Sequence, residues 1–246
     1  MNNLVEQWKK DEKASFAGWD FSYIKNRMAE DSPSWNYELL AKDLLQKSNS
    51  FLDIATGGGE VLSKLGPFTQ DAYAIEGYQP SFLIAQKRLE PLGVKVIFNN
   101  EMKIYPFADN KFDLVLNRHG GLNLPEIYRV LKKDGHLLTQ QVGDGNLSDL
   151  LAIFNTKSKW PENNLENVKY RAEQIGFKIE KSEKWKGYIK FFDVGAIVYF
   201  LKNIPWAVDN FSVDNHLSYL NKLQAKLENG EELKFFYRRF LLLARK

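Results

Sequence analysis

The stretch Phe51-Leu-Asp-Ile-Ala-Thr-Gly-Gly-Gly-Glu60 decides how the rest of the chain is read. Phe51 to Ala55 has the apolar run of a short buried strand, and Thr56 to Gly59 supplies a turn with three consecutive glycines. Val61, Leu62 and Leu65 then have the spacing of the first turns of a helix. A strand that ends in a glycine turn and opens a helix lets a ligand approach the backbone, because glycine lacks a Cβ and tolerates positive φ. Free amides at a helix start also favour a carboxylate or phosphate. Taken alone the signal is weak, since many glycine turns merely connect a strand to a helix.

Working outward, Tyr37 to Leu45 carries leucines at helical spacing and leads into the first strand through Ser48-Asn49-Ser50. On the other side, Asp71-Ala-Tyr-Ala-Ile-Glu76 reads as a second strand ending in an acid. Ser81 to Leu92 reads as a helix, Val94 to Phe98 as a strand, and Asn99 to Asp109 as a loop. Phe112-Asp-Leu-Val-Leu-Asn117 is a further strand, followed at once by Arg118-His119-Gly120-Gly121. Leu124 to Leu131 is a helix and Gly135 to Val142 a fifth strand. Strands alternating with helices at this spacing predict an α/β fold with a mostly parallel sheet and helices on both faces. Ligands in such sheets bind beyond the carboxyl ends of the strands, so Thr56, Glu76, Asn99 and Asn117 gather on one edge.

Beyond Gly143 the pattern loosens. Helices are predicted over 164–174, 193–203 and 213–227, and strands over 177–182 and 232–246. Residues 1–36 are rich in aromatics, among them Trp8, Phe16, Trp19, Phe21 and Trp35. They read as a cap over a ligand or as a staple to the core. No repeat or hinge-like linker divides the chain, so residues 1–246 are expected to form a single domain. It comprises an N-terminal cap (1–36), a ligand-binding core (37–142) and a C-terminal half (143–246) with a substrate-side insert around 185–230.

Composition narrows the function classes. The chain has 246 residues, 44% of them hydrophobic and 26% charged, with a net charge of +3, which is no strong footprint for nucleic acid. With no cysteine, disulfides, thiolate metal sites and cysteine nucleophiles are excluded. Three scattered histidines suggest no metal site. The N-terminus has no secretory apolar segment, and Val194 to Leu201 is too short to span a bilayer. A soluble, cytoplasmic protein without membrane partners is expected.

The ordered pieces resemble the class I S-adenosylmethionine-dependent methyltransferases, in particular the type 11-like group. Leu52-Asp-Ile-Ala-Thr-Gly-Gly-Gly59 is similar to the family's first motif, with Ala55 in place of the more usual first glycine. Glu76 falls at its second-strand acid, and Glu101, before Pro106, at its adenine-side acid. Phe107 to Asn117 and Tyr128 to Leu138 are similar to its fourth strand and to the turn into its fifth. The resemblance covers roughly residues 37–142. It implies a Rossmann-like, doubly wound, seven-stranded sheet with an antiparallel C-terminal strand, and S-adenosyl-L-methionine as cofactor. The implied cofactor residues are Asp53, Ala55, Thr56, Gly57, Gly59, Glu76, Glu101, Met102 and Asn117. Glu76 would accept from the ribose hydroxyls, Glu101 from the adenine amino group, and the Met102 N–H would face a ring nitrogen.

The expected reaction is in-line methyl transfer to a small-molecule acceptor. Alignment of the two reactants alone is worth about 7–11 kcal/mol, so no base is obligatory. His119 is the candidate general base, with a structural or acceptor-binding role as its alternatives. Arg118 and Trp19 are the candidate substrate residues, Arg118 through an anionic acceptor or the cofactor carboxylate. An RNA acceptor is the second reading, resting on Lys184 to Phe192 and the C-terminal Arg238, Arg239, Arg245 and Lys246. An NAD-dependent oxidoreductase is a poor third, because Leu62 stands where its fingerprint needs a glycine. A non-catalytic cofactor-binding protein is the fourth.

Overall fold

A computed structural model describes residues 2–68 and 71–246. Its strands are β1 (Met28–Glu30), β2 (Ser50–Ile54), β3 (Asp71–Glu76), β4 (Val94–Phe98), β5 (Phe112–Arg118), β6 (Leu131–Val142), β7 (Lys178–Phe191) and β8 (Leu233–Arg245). They form one sheet in the order β1-β7-β8-β6-β5-β2-β3-β4. The run from β6 to β4 is parallel; β8, β7 and β1 are added antiparallel. The chain lays down β2, β3 and β4 toward one edge, then returns to β5 and builds the other way. The reversal falls between β2 and β5, where open α/β sheets bind their ligands.

The helices are α1 (Asn2–Lys13), α2 (Tyr37–Gln46), α3 (Gln79–Leu89), α4 (Leu124–Val130), α5 (Ser148–Ile153), α6 (Leu165–Ile175), α7 (Val194–Lys202) and α8 (Leu217–Glu228). Side-chain caps start several of them. Asn36, Asn123, Asn164 and Asp193 accept from the amides of Leu39, Glu126, Asn167 and Ala196. Ala41, Leu45, Ala85 and Leu89 of α2 and α3 pack with Phe51, Leu114 and Leu116 on one sheet face. Ile127, Val130 and Ala172 of α4 and α6 pack with Ile54, Val115 and Leu137 on the other.

Besides the unexpected helices α1 and α5, three features depart from the sequence expectation. The sheet has eight strands rather than seven, because Met28–Glu30 pairs with β7 at the antiparallel edge. The glycine turn opens no α-helix: Leu62–Leu65 is a single 3-10 turn that ends at Gly66-Pro67, where proline removes the next donor. A helix macrodipole therefore contributes nothing to ligand binding at the turn. Finally, β7 runs 14 residues, far past the short strand expected at 177–182.

That length builds a second storey. β6 ends at Val142, opposite Arg239, while β8 and β7 continue past it to Leu233 and Phe191. Their projecting ends carry a separate core of Trp8 from α1, Leu150 and Leu151 from α5, Ile197 and Leu201 from α7, and Leu220 and Leu223 from α8. Phe16, Phe21 and Met28 pack against it. The N-terminal segment and the C-terminal helices thus form one cap above the carboxyl ends of the parallel strands.

A buried ion network ties this cap together. Asp11 is fully buried and accepts from Arg27 Nη1 and Nη2 at 2.8 and 3.0 Å. Arg27 also donates through Nε and Nη2 to Asp193 at 2.8 and 2.5 Å, and Asp193 caps α7. Gly195 lets α7 approach this network, since a Cβ there would overlap the Asp11 carboxylate and crowd the Arg27 guanidinium.

Candidate active site

The glycine turn is held from β3. Gly57 and Gly59 take φ values of 63° and 77°, a left-handed conformation that glycine adopts without a Cβ penalty. Ala55 takes φ 56° despite its Cβ. The Glu76 carboxylate, 7% exposed, accepts from Gly57 N at 2.7 Å through Oε2 and from Gly77 N and Tyr78 N at 2.9 and 2.8 Å through Oε1. An ionised carboxylate accepts about four hydrogen bonds, so capacity for one more remains beside the cleft. On the outer side of the turn, Arg88 donates to the Gly58 carbonyl and to Glu60, and Gly18 of the cap lies against Gly58 and Glu60.

A cleft of about 780 Å³ opens beside these groups, lined by Ala55, Glu76, Gly77, Met102, Leu122 and the α6 residues Arg171 and Gln174, among others. Its volume lies within the usual range for a small-molecule or cofactor site. On the other sheet face, at the ends of β2, β5 and β6, a set of polar groups meets the cap. Asp53 pairs in register with Leu116, and Arg118 with Gln140, so all four side chains share the face that α2 covers. Burial pushes the Asp53 carboxyl up to about 7; the Thr56 hydroxyl pulls it down and the Glu76 charge adds to the rise.

His119 sits at φ 64° directly after β5. Its Nε2 lies 3.1 Å from Gln140 Nε2. The Trp35 indole, a donor only, gives its proton to Gln140 Oε1 at 2.7 Å. The Gln140 amide is thereby oriented with its NH2 toward the imidazole. His119 Nε2 accepts, and the ring proton resides on Nδ1. Burial, and then the positive fields of Arg239 and Arg118, hold this imidazole well below its ordinary value, so it is neutral.

The other residues expected from sequence fall in several places. Asn117 is fully buried. Its Oδ1 accepts from Gln141 Nε2 and Thr139 Oγ1 at 2.6 and 3.3 Å, which braces β5 against β6 rather than presenting the side chain to a ligand. Met102 lines the cleft, but its N–H donates to Asn99 Oδ1 at 3.3 Å instead of facing it. Glu101 is exposed and stands apart from the cleft lining, next to Met102, which takes a left-handed φ of 51°. Trp19 stacks on Trp206 in the cap, ring centroids 5.8 Å apart and 7° from parallel. Among the described residues no group of three or more acids and histidines is arranged to hold a metal. No described helix is long and apolar enough to cross a membrane.

Four residues of the site were not expected in these roles: Tyr37 and Gln140 carry no site expectation at all, Trp35 belongs to the aromatic cap and Arg239 to the RNA reading. A signal existed for two of them. Gln140-Gln141 interrupts an apolar strand at its carboxyl end, and Arg239 interrupts the apolar run of β8. Paired or unpartnered polar groups in such positions are seldom there for solubility.

Residues 52–139 match the methyltransferase domain family. The protein-L-isoaspartate O-methyltransferase of Alcanivorax borkumensis is 27% identical over 132 residues, 53% of this chain and 60% of that protein. The aligned part is therefore less than two thirds of that relative. Among solved structures, the YcgJ protein of Bacillus subtilis superposes with a TM-score of 0.61 at 16% identity, covering 85% of this chain and 97% of that one. A Bacillus halodurans protein assigned as a methyltransferase superposes with a TM-score of 0.59 at 20% identity, covering 83% and 98%. These two establish a shared fold. The family match runs from β2 through most of β6, so the stretch that carries the glycine turn, Glu76 and the end of β5 is the part of the chain similar to the methyltransferase domain family.

Proposed function

We propose that the protein transfers a methyl group from S-adenosyl-L-methionine to a small-molecule acceptor held between the sheet edge and the cap. The observation that carries this reading is the Glu76 carboxylate. It locks the glycine turn by its bond to Gly57 N and retains acceptor capacity beside a cleft of about 780 Å³. The donor fits the residues present. Glu76 accepts from a ribose hydroxyl, Met102 and Leu122 wall an adenine, Ala55, Thr56, Gly57 and Gly59 let backbone meet the amino-acid part, and Asp53 faces its ammonium. Glu101 and Asn117 support the site from outside, Glu101 on the exposed loop beside Met102 and Asn117 through the bracing of β5. When bound, the cofactor supplies an electrophilic methyl on sulfonium.

The chain's own task is then to bind and align. His119 acts as a hydrogen-bond donor to the acceptor through Nδ1, because Gln140 occupies its Nε2 lone pair. Positioning, rather than proton removal by His119, carries the step. Trp19, stacked in the cap, shields the acceptor side.

Several of the cationic groups behind the RNA reading are engaged within the molecule. Lys184 and Lys190 pair with Glu166 and Glu232. Arg245 pairs with Asp134 and Glu180, and Lys246 donates to the carbonyls of Tyr128 and Leu131. These contacts favour the small-molecule acceptor. We place the protein in the cytoplasm. Tritium transfer from labelled S-adenosylmethionine to a metabolite set and to RNA tests the acceptor class; RNA as the sole labelled fraction defeats this proposal.

Asp53 makes the cofactor's affinity pH-dependent. A cationic ammonium favours the ionised carboxylate, whose ionisation is opposed in the ligand-free protein up to about pH 7. Affinity for S-adenosylmethionine therefore rises by up to about tenfold per pH unit below 7 and levels off above it. Stability of the ligand-free protein runs the other way. The folded state holds a proton that the unfolded state has lost, so stability falls as pH rises from about 4 to 7. Calorimetry from pH 5.5 to 8.5 checks the first slope, and Asp53→Asn is expected to flatten both.

A further inference from the structure

The charged groups where β5, β6 and β8 meet the cap are not used up by the reading above. Arg239 is 7% exposed, a burial that an arginine tolerates only with compensation. Its guanidinium carbon lies 3.7 Å from the centre of the Tyr237 ring, and Nη1 donates to Asn146 Oδ1 and the Arg238 carbonyl at 2.9 and 2.7 Å. Stacking and two bonds through one nitrogen fix the plane of the group. Apart from the Tyr237 side chain, which favours the charge, no group among the described residues is bonded to the Nε–Nη2 edge, and Arg239 has no carboxylate within 4 Å. That edge is the fork that grips carboxylates and phosphates with two parallel bonds.

Arg118 stands on the same sheet face. It pairs with Gln140, Gln140 with Leu241, and Arg239 lies two residues along β8 opposite Val142. The two guanidinium groups approach closely enough that Arg118 disfavours the charge on Arg239, and both disfavour charge on His119. Arg118 too has no ion pair among the described residues. The acids whose fields reach the cluster, Asp53 and Glu30, lie beyond ion-pair distance of both arginines. Tyr37 is 6% exposed beside Asp53 and Arg118, and its hydroxyl, near the Asn117 backbone, gives its proton to no acceptor among the described residues. Two cations on one sheet face, neither with an ion pair among the described residues, and a buried hydroxyl in the field of Arg118 form a cluster that an anion would complete.

We propose that Arg239 and Arg118 form the subsite for an anionic group of the methyl acceptor, a carboxylate or a phosphate, so that the protein methylates small acidic molecules. The acidic group docks on the Nε–Nη2 edge of Arg239, Arg118 closes on it from β5, and Tyr37 donates its hydroxyl. The body of the acceptor then rests toward His119 Nδ1. Trp185, whose ring meets Tyr237 edge-on with centroids 6.2 Å apart, walls the site on the β7 side. This assignment rests on the methyltransferase reading.

The test begins with calorimetry of S-adenosylhomocysteine on the wild-type full-length chain. No binding there defeats the cofactor reading itself. With the protein saturated by S-adenosylhomocysteine, benzoate, inorganic phosphate and the neutral benzamide are titrated at constant ionic strength by ligand-observed NMR. Benzoate or phosphate is expected to bind and benzamide not; which anion wins separates a carboxylic from a phosphorylated acceptor. Arg239→Gln is expected to weaken the winning anion by about tenfold or more, with S-adenosylhomocysteine affinity held within about twofold. Arg118→Gln, at a partly exposed position, gives the same split and decides the matter alone if Arg239→Gln does not fold. Equal anion binding by wild type and variant, or no anion binding by the loaded wild type, overturns the subsite. A tenfold loss of S-adenosylhomocysteine affinity also overturns it, since the guanidinium would then serve the cofactor's carboxylate.

Discussion

Replacing Glu76 by alanine lowers affinity for S-adenosylmethionine by at least about 100-fold, and Glu76→Gln does no better. One carboxylate accepts from three backbone amides, those of Gly57, Gly77 and Tyr78. Alanine leaves them without their partner and unties the glycine turn from the end of β3. Each bond to a charged acceptor contributes about 1.5–3 kcal/mol, and 1.4 kcal/mol is a factor of ten, so losing the turn and the ribose contact together exceeds two decades. The glutamine variant discriminates this account from a simple charge effect. Its amide nitrogen cannot accept, yet both carboxylate oxygens already face N–H donors, so either flip sets donor against donor. If the glutamine variant binds within about threefold of wild type by calorimetry, the lock is not what organises the site. A melting curve for each variant accompanies the measurement, because the orphaned amides are also expected to lower stability by a few kcal/mol.

The contrast between Glu76 and Glu101 shows what the sequence could and could not say. Both are acids near strand ends, and both fit the family pattern. Glu76 ends an apolar strand, so its position is set by sheet pairing and its side chain must face the turn that follows the neighbouring strand. Glu101 lies in a loop where Met102 enters the left-handed region, which no local pattern announces. The parallel half of the fold was legible for the same reason as Glu76: periodicity reports burial, and burial locates strands and helices. The helix expected after the glycines was not formed because Gly66-Pro67 stops it, a signal present in the chain but outweighed by the spacing of Val61, Leu62 and Leu65. The cap was the least legible part. Trp8 and Leu201 are 193 positions apart and share one core, and such pairing over distance leaves no periodic trace. His119 is an intermediate case. Its place after β5 was readable, whereas its tautomer depends on Trp35 acting through Gln140, a contact across 105 residues.

Arg27→Met is expected to cost the cap about 3–5 kcal/mol, the usual consequence of leaving a buried charge without its partner. Asp11 is fully buried, and among the described residues its other side-chain bond is from the Tyr23 hydroxyl at 2.9 Å, too little to compensate a bare carboxylate. Gly195→Ala attacks the same point from α7, because its methyl would overlap the Asp11 carboxylate that Arg27 holds in place. The decisive comparison is the pair Asp11→Asn with Arg27→Met. Removing both charges takes away the desolvation cost together with the attraction, so the double variant is expected to be more stable than Arg27→Met alone. Chemical denaturation followed by tryptophan emission reads this directly, since Trp8 lies in the cap core while Trp35 packs against the sheet. A double variant that merely adds the two single losses shows that Arg27 contributes packing alone. Gly18 rests on the glycine turn, so loosening the cap is also expected to weaken S-adenosylmethionine binding, although neither Arg27 nor Asp11 lines the cleft.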